Sequence, residues 1–291
     1  MSSGVKRRSD LALPPVYRST TPAPLIIDFH PFGPPSIEEG FSGLTVIAAG
    51  RHESPAGQAG MVVLTPLGTA AGTTPAWNVT HYAPWPNDEQ FAIDLLDYIE
   101  AHACIDTARV YLTGFAIGAQ MAAVVACDHA DRITALAAVS GIYDPAGCQP
   151  SRALPIIAFN GTADPMIPYA GGIGPNVPKL GLDAATTAGE TAMISRLAPI
   201  PEVVNRWVRR DGCQPAPHTT VPAKSVTLKR WNRCRGGADI DWYLISGAGH
   251  TWPSSPGTKA LGTLLGPTSD AIPATDLIIQ FFDRYRLPPH S

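Results

Sequence analysis

Short, almost wholly apolar runs alternate along the chain with longer stretches whose apolar residues recur every three or four positions. The short runs predict strands buried on both faces; they are Pro24–His30, Gly43–Ala49, Met61–Gly68, Arg109–Gly114, Ala135–Gly141, Leu154–Gly161 and Asp239–His250. The longer stretches predict helices over Asp88–Ala103, Ile117–Ala130, Ile200–Gly212 and Ala274–Arg286. Alternating strands and helices predict the α/β class, with a mostly parallel central sheet covered by helices on both faces.

A length of 291 residues allows one α/β domain or two small ones, and we predict a single domain over residues 1–291. One stretch departs from the alternating pattern, because Gly171–Pro199 is weakly periodic and rich in glycine and proline. Long loops of this kind in compact domains are usually functional or mobile, so we predict an insertion or lid over residues 171–199.

Chemically useful residues follow four of the predicted strands. They lie in "FHPFGPP" after the first strand, in "GFAIG" (Gly114–Gly118), in "NGTADPMIPY" with Asp164, and in "SGAGHTWP" with His250. Ligands of open α/β sheets bind at the carboxyl ends of the strands, where these segments are expected to meet.

The strand-to-helix stretch "GFAIG" has the setting of a nucleophile elbow, G-x-S-x-G, in which a sharp turn presents a serine. Its middle residue here is Ala116, which carries no nucleophile. Asp164 and His250 follow it in the chain order of an α/β-hydrolase triad. A glycine-flanked turn that packs a helix on a sheet is the alternative interpretation of the stretch taken alone.

The motifs "NGTADPMIPY" and "GAGHTWP" resemble those of the secreted α/β-hydrolases of the polyhydroxybutyrate depolymerase and feruloyl esterase group. The resemblance extends from "VKRRSDLALPPVY" to the end of the chain. It implies an α/β-hydrolase fold in which Asp164 orients the imidazole of His250 and His250 acts as general base. Ala116 occupies the position of the nucleophile, which is serine in the active form of that family.

A second departure from the family concerns the loop after the first strand, which reads "HPFG" where the family has His-Gly. This loop should supply one amide of the oxyanion hole, and Ile117 should supply the other. Pro31 has no N–H, so we expect Phe32 to be the first donor. We predict substrate contacts from His30, Trp77 and Trp252, of which Trp252 lies two residues from His250.

Five cysteines show no zinc-ligand spacing, so disulfides and a secreted chain are the better prediction. The family often bridges the pair that here is Cys213 and Cys234. Cys127 has two candidate partners, Cys148 and Cys104, and the sequence does not choose between them. The triplet "NVT" at Asn78 would suit a secreted chain, although such triplets are common by chance.

A net charge of −3 without a basic block argues against a nucleic-acid partner, and no apolar run is long enough for a membrane span. The resemblance therefore implies a carboxylic ester hydrolase that needs no metal or cofactor and acts on a small or polymer-linked ester. Feruloyl esterase chemistry is the expectation; a polyhydroxybutyrate depolymerase and an acetylxylan or polyester esterase are alternatives. A natural ester- or carbohydrate-binding protein without catalysis is the rival from another class.

Overall fold

The computed structural model describes residues 1–48, 52–69, 74–82, 85–181 and 197–288. Within these residues one nine-stranded sheet has the order β1-β3-β2-β4-β5-β6-β9-β8-β7. The strands are β1 (Ser9–Ala12), β2 (Ala23–Phe29), β3 (Val62–Pro66), β4 (Ile105–Phe115), β5 (Ala135–Val139), β6 (Ile156–Gly161), β7 (His218–Ala223), β8 (Val226–Trp231) and β9 (Ile240–Ile245).

The six central strands, from β3 across to β9, are parallel to one another. Every residue of β2, β3, β5 and β6 is buried, as expected for parallel strands covered on both faces. The edges are antiparallel: β1 pairs with β3, and the β7–β8 hairpin pairs with β9. The predicted α/β class and parallel sheet are confirmed.

The helices are α1 (Pro35–Ser42), α2 (Pro55–Gln58), α3 (Asp88–His102), α4 (Ile117–Asp128), α5 (Ile200–Arg210), α6 (Pro256–Ala260), α7 (Gly262–Leu265) and α8 (Ala274–Phe282). One core cluster packs α3, α4 and α5 on one face of the sheet, and a second packs α1, α2 and α8 on the other. Helix α4 is nearly all apolar and is buried along its length, because it lies over the centre of the sheet against β2, β4 and β5. No helix among the described residues is long and apolar enough to cross a membrane.

The strand predicted over Gly43–Ala49 is wrong for its described part, since residues 43–48 contain no strand. Leu44 is buried, but Val46 and Ile47 are 46% and 59% exposed, so this apolar run lies on the surface after α1. The β7–β8 hairpin was not predicted, because most of its outer strand is exposed and lacks an apolar pattern.

The predicted insertion or lid at 171–199 is described only at its two ends, and residues 182–196 lie outside the described residues. The first end contains a short 3-10 helix, Val177–Leu180. The amide N–H of Gly172 donates to Leu197 O at 2.9 Å and so joins the two ends to each other, and Asn176 Nδ2 joins the first end to the body of the protein by donating to Leu264 O at 2.6 Å.

A buried pair of carboxyl groups joins β2 to α1. Asp28 is 1% exposed and Glu38 is not exposed at all. Ser42 donates a hydrogen bond of 2.8 Å to Asp28 Oδ2, whereas Asp28 Oδ1 and both carboxyl oxygens of Glu38 find no donor among the described residues. Two carboxylates cannot share such a site, so the pair must retain a proton. Burial raises the pKa of Asp28 to about 6 and that of Glu38 well above its usual range.

Two disulfides join four of the five cysteines. Cys213 is joined to Cys234, as the resemblance implied. Cys127, near the end of α4, is joined to Cys148, and Cys104 is free. The choice that the sequence left open is thus decided by the loop after β5, which returns to the end of α4.

The triplet at Asn78 is not available as a glycosylation acceptor in the folded chain. Asn78 is 3% exposed, and its side-chain nitrogen donates to the carbonyl oxygens of Tyr82, Trp85 and Pro86. These bonds shape the loop before α3, so the side chain has a structural role.

We expect removal of the Cys213–Cys234 bridge to lower the free energy of unfolding by about 3 kcal/mol, because it closes a loop of 21 residues in the unfolded chain. The double variant Cys213→Ala/Cys234→Ala should show this loss in urea unfolding. Cys104→Ala is the matched control and should unfold like the parent. Peptide mapping without reductant that finds both Cys213 and Cys234 as free thiols would contradict the bridge.

We expect the Asp28–Glu38 pair to make stability fall as pH rises. The folded chain keeps protons on these groups above the pKa values that they have when unfolded, so unfolding becomes easier from about pH 4 through pH 6 and above. Glu38→Gln removes one acid, so the free energy of unfolding should fall less with pH, by an amount on the order of 1–2 kcal/mol. Urea unfolding at about pH 4.5 and about pH 7.5, on the two sides of that window, measures this difference. The neighbouring Glu39→Gln should keep most of the parental slope; equal slopes in all three proteins would disprove the coupling.

Candidate active site

Ala116 lies at the sharp turn between β4 and α4 and has a backbone conformation that residues with a side chain rarely adopt. Its φ is 54° and its ψ is −121°. Such a conformation costs on the order of 1–3 kcal/mol and persists only where the surroundings enforce it. Here the amide N–H of Ala116 donates to Val139 O at 3.0 Å, and its carbonyl accepts the N–H of Gln120 at 3.2 Å. The turn predicted from "GFAIG" therefore has the geometry of a nucleophile elbow.

Three glycines make this turn possible because neighbouring backbone segments pass too close to them for a side chain. A Cβ on Gly118 would lie 1.9 Å from Phe29 O, and one on Gly114 would lie 2.6 Å from the same oxygen. A Cβ on Gly141 would lie 2.1 Å from Ala116 O. The ends of β2, β4 and β5 thus meet backbone against backbone around residue 116, which leaves this residue little freedom to relax.

Asp164 and His250 form a buried hydrogen-bonded pair. They follow β6 and β9, which are adjacent parallel strands, so the two loops meet at the same edge of the sheet. His250 Nδ1 lies 2.8 Å from Asp164 Oδ2. The other oxygen, Oδ1, accepts the amide N–H groups of Met166 and Ile167, each at 2.8 Å. A carboxylate can only accept, so Nδ1 carries the hydrogen and Nε2 of the neutral ring is left as a proton acceptor.

A cavity of about 200 Å³ brings Ala116 and His250 together. Among the described residues, Gln120 and His250 are its polar side chains, and the others are apolar. Its wall is completed by Pro31, Phe32, Ile37, Phe41, Phe115, Ile117, Met166, Ile167, Val177, Leu180, Leu197, Leu261, Leu264 and Leu265. An apolar cavity with a few convergent polar groups is the usual form of a small-molecule site.

Phe32 and Ile117, the predicted oxyanion-hole residues, both line this cavity. Ile117 is the first residue of α4, where an amide N–H has no acceptor within the helix. Among the described residues, neither its amide nor that of Phe32 has a backbone acceptor. Gly33, the next residue of the loop, donates instead to Pro75 O at 3.0 Å. Both N–H groups thus have no backbone partner among the described residues, as donors of an oxyanion hole would require.

His30, Trp77 and Trp252 do not line the cavity, so their positions do not support the substrate contacts predicted for them. Burial lowers the pKa of His30 to about 4, which keeps the ring neutral. Its Nδ1 lies 2.5 Å from Pro31 O, and its Nε2 accepts the amide N–H of Gly68 at 2.9 Å. Trp77 Nε1 donates to His30 O, and Trp252 Nε1 donates to Thr275 Oγ1. All three shape the loops behind the cavity wall.

Most residues of the apolar cavity wall were not predicted from the sequence. Ile37 and Phe41 come from α1, and Leu261, Leu264 and Leu265 come from the stretch around α7, which carries no motif. The ends of the weakly periodic stretch add Val177, Leu180 and Leu197. Gln120 had one signal in the sequence: it is a polar residue in an otherwise apolar, buried helix, at one turn from residue 116.

A wider second cavity of about 750 Å³ shares Ile167 and Leu197 with the first. Its wall is more polar and includes Asp144, which forms ion pairs with Arg206 and Arg210. The space beside Ala116 and His250 therefore has an apolar side and a polar side.

One group of potential metal ligands occurs in the described part of the chain, and it lies away from the apolar cavity. Ligand atoms of His81, Glu89 and Asp128 lie within 4.8 Å of one another. Glu89 already accepts hydrogen bonds from His81 at 2.7 Å and from His129 at 2.9 Å, and these bonds lower its pKa. The group lies at the surface and its contacts are those of ordinary ion pairs.

Comparison with known proteins gives relatives along most of the chain. The chain is 27% identical over 252 residues to feruloyl esterase B of Piromyces equi, which covers 84% of this chain and 42% of that protein. It is 26% identical over 261 residues to feruloyl esterase D of Neurospora crassa, covering 88% and 78%. Poly(3-hydroxyalkanoate) depolymerase C of Paucimonas lemoignei is 25% identical over 175 residues, covering 57% and 41%. The chain thus spans less than half the length of the first and third of these relatives.

No protein-family model matches the chain. Among solved structures, an acetyl xylan esterase from Aspergillus awamori superposes with a TM-score of 0.56 at 15% identity, over 87% of this chain and 92% of that one. At this identity the likeness concerns the fold. With the mostly parallel sheet, the elbow at Ala116 and the Asp164–His250 pair, these comparisons make the chain a homologue of the feruloyl esterases and poly(3-hydroxyalkanoate) depolymerases with an α/β-hydrolase fold.

Proposed function

We propose that this chain carries the site of a carboxylic ester hydrolase of the Ser-His-Asp type, with Ala116 at the position of the nucleophilic serine. The observation that carries the proposal is the strained conformation of Ala116 in the wall of a cavity that also contains His250. Alanine has no side-chain oxygen that this strained conformation could present to the cavity. A serine there would present its hydroxyl to the cavity.

With a serine at position 116, the reaction is acyl transfer to water. The serine oxygen attacks the ester carbonyl while its proton passes to Nε2 of His250, and the carbonyl oxygen becomes an anion. The amides of Phe32 and Ile117 donate to that anion. As the anion collapses, the bond to the alcohol oxygen breaks and His250 returns its proton to the alcohol. Water repeats the sequence on the acyl-enzyme and releases the acid.

Asp164 positions His250 and stabilises its cationic form. The two backbone amides on Oδ1 fix the carboxylate, so Oδ2 points at Nδ1 of the ring. This arrangement holds the ring in the tautomer whose Nε2 can take a proton. No metal or other cofactor takes part in these steps.

The two cavities suggest how an ester would lie. The carbon-lined cavity beside Ala116 suits an apolar acyl group, and the polar cavity beyond Ile167 and Leu197 suits a hydrophilic alcohol or polymer. The rings of Phe32, Phe41 and Phe115 in the acyl wall favour a hydroxycinnamoyl group over a hydroxyalkanoate. The two disulfides support a secreted protein that meets such esters outside the cell.

The chain as given would bind an ester without forming the acyl-enzyme. An engineered serine-to-alanine replacement explains this better than a natural binding protein, because Asp164 and His250 keep a catalytic geometry that binding alone does not require. The genomic codon for position 116 distinguishes the two origins.

We expect Ala116→Ser to create ester hydrolysis, with a gain in kcat on the order of 10⁴ to 10⁶ over the parent, the range lost when a triad nucleophile is deleted. Hydrolysis of aryl, acetyl and hydroxyalkanoate esters gives the rate, and a serine-directed organophosphorus probe should label the peptide that contains residue 116. Activity should fall at acid pH, because a protonated His250 cannot accept the serine proton.

The parent, purified in the same way, is the control for contaminating esterases, and Ala116→Ser/His250→Ala should be inactive again. A folded Ala116→Ser protein that neither hydrolyses any of these esters nor reacts with the probe would refute the proposed site.

With the serine in place, we expect methyl ferulate to be cleaved with a higher kcat/KM than the trimer of 3-hydroxybutyrate. The physical reason is the apolar, ring-bearing wall of the acyl cavity. Steady-state kinetics on both substrates measures the preference, with butyrate esters as the reference for an unsubstituted chain. A higher kcat/KM for the trimer would assign the protein to the depolymerase side of its relatives.

A further inference from the structure

We propose that Gln120 is a specificity-determining residue that binds a hydroxyl group on the acyl portion of the substrate. This inference rests on the proposed function, because it assigns the carbon-lined cavity to the acyl group. It names the class of ester that the cavity selects: an ester whose acyl group is mostly apolar and carries one polar group.

The side chain of Gln120 is buried in the cavity wall, and its oxygen has no partner there. The residue is 1% exposed, and Oε1 has no hydrogen-bond donor among the described residues. The backbone N–H of Gln120 is already used, since it donates to Ala116 O. Amide oxygens in protein interiors are almost always paired, so an oxygen without a donor here calls for a ligand.

The position of Gln120 places this amide close to the reacting centre. Gln120 lies one turn of α4 after Ile117, a spacing at which helical side chains are neighbours, and Ala116 immediately precedes the helix. All three line the cavity together with Phe32 from the oxyanion loop. Gln120 therefore borders the space that an acyl group would fill when its carbonyl lies at residue 116.

The rest of the wall makes the amide selective. Among the described residues, His250 is the other polar side chain of the cavity; its Nδ1 is bonded to Asp164, and its Nε2 is assigned to the reacting hydroxyl. A hydroxyl on the acyl group can donate to the oxygen of Gln120 or accept from its nitrogen. An ester without that hydroxyl leaves the amide unpaired in a dry cavity, and sites of this kind reject the analogue that lacks the group.

The chain with Ala116 allows a direct test, because esters can be bound at equilibrium without hydrolysis. Isothermal titration calorimetry compares two pairs of probes that differ by one hydroxyl: methyl 4-hydroxycinnamate against methyl cinnamate, and methyl 3-hydroxybutyrate against methyl butyrate. In at least one pair we expect the hydroxylated ester to bind about tenfold more tightly, the usual scale for one net hydrogen bond.

Gln120→Met keeps an unbranched side chain of similar length without the amide, and it should abolish that preference by weakening only the hydroxylated ester. Gln120→Leu is the second variant if the first does not fold. Gln280→Leu, on an exposed face of α8, is the matched control and should keep the parental preference.

Equal affinities within both pairs, a preference that survives in Gln120→Met or Gln120→Leu, or no binding of any of the four esters would each overturn the inference. Its failure is distinct from failure of the proposed function. An active Ala116→Ser enzyme that ignores the hydroxyl refutes only the role of Gln120. A hydroxyl preference that depends on Gln120 in a chain whose Ala116→Ser variant is inert refutes only the catalytic proposal.

Discussion

The conformation of residue 116 is the constraint around which the site is built. A positive φ at a residue with a Cβ is unfavourable, and it is held here by the hydrogen bond to Val139 O and by the tight backbone contacts at Gly118 and Gly141. Those contacts require β2, β4 and β5 to end at the same level of the sheet. They also place the first turn of α4, with its free amides, against the loop that follows β2.

The loop after β2 is held by buried polar groups that take no part in the chemistry. His30 is kept neutral by burial, and it ties Pro31 to Gly68 through its two ring nitrogens. Farther along, Asp28 and Glu38 connect β2 to α1, which carries Ile37 and Phe41 into the cavity wall. The two bonds of His30 favour one arrangement of this loop, because each alternative leaves a buried donor or acceptor unpaired.

The cavity itself is built from two kinds of segment, the ends of central strands and the elements at the rim. The edge that carries Ala116, Asp164 and His250 comes from the ends of the central parallel strands, whose positions the sheet fixes. Much of the apolar wall comes from helices and loops at the rim, including the ends of the stretch 171–199. Rim elements can change without disturbing the sheet, which is the physical reason that one fold supports esterases with different acyl preferences. Gln120 differs from these rim residues, since it belongs to α4, which packs on the central sheet, and it adds a polar side chain to the cavity wall.

The sequence by itself determined the class of fold, and it predicted the order of the proposed catalytic segments with Ala116 at the position of a nucleophile. Buried parallel strands are continuous apolar runs, and the elbow needs small residues at fixed offsets, so β2 to β6 and Gly114–Gly118 were visible in the chain. The apolar run at Gly43–Ala49 misled for the same reason, because composition does not say whether a run is covered.

Only the tertiary structure decided what faces the cavity and which cysteines meet. Trp252 is two residues from His250, yet its ring turns away to Thr275, while leucines far along the chain line the wall. Cys148 reaches Cys127 because the loop after β5 folds back to the end of α4. Side-chain direction and loop path depend on packing between distant segments, and that packing is set by the whole fold rather than by any local pattern.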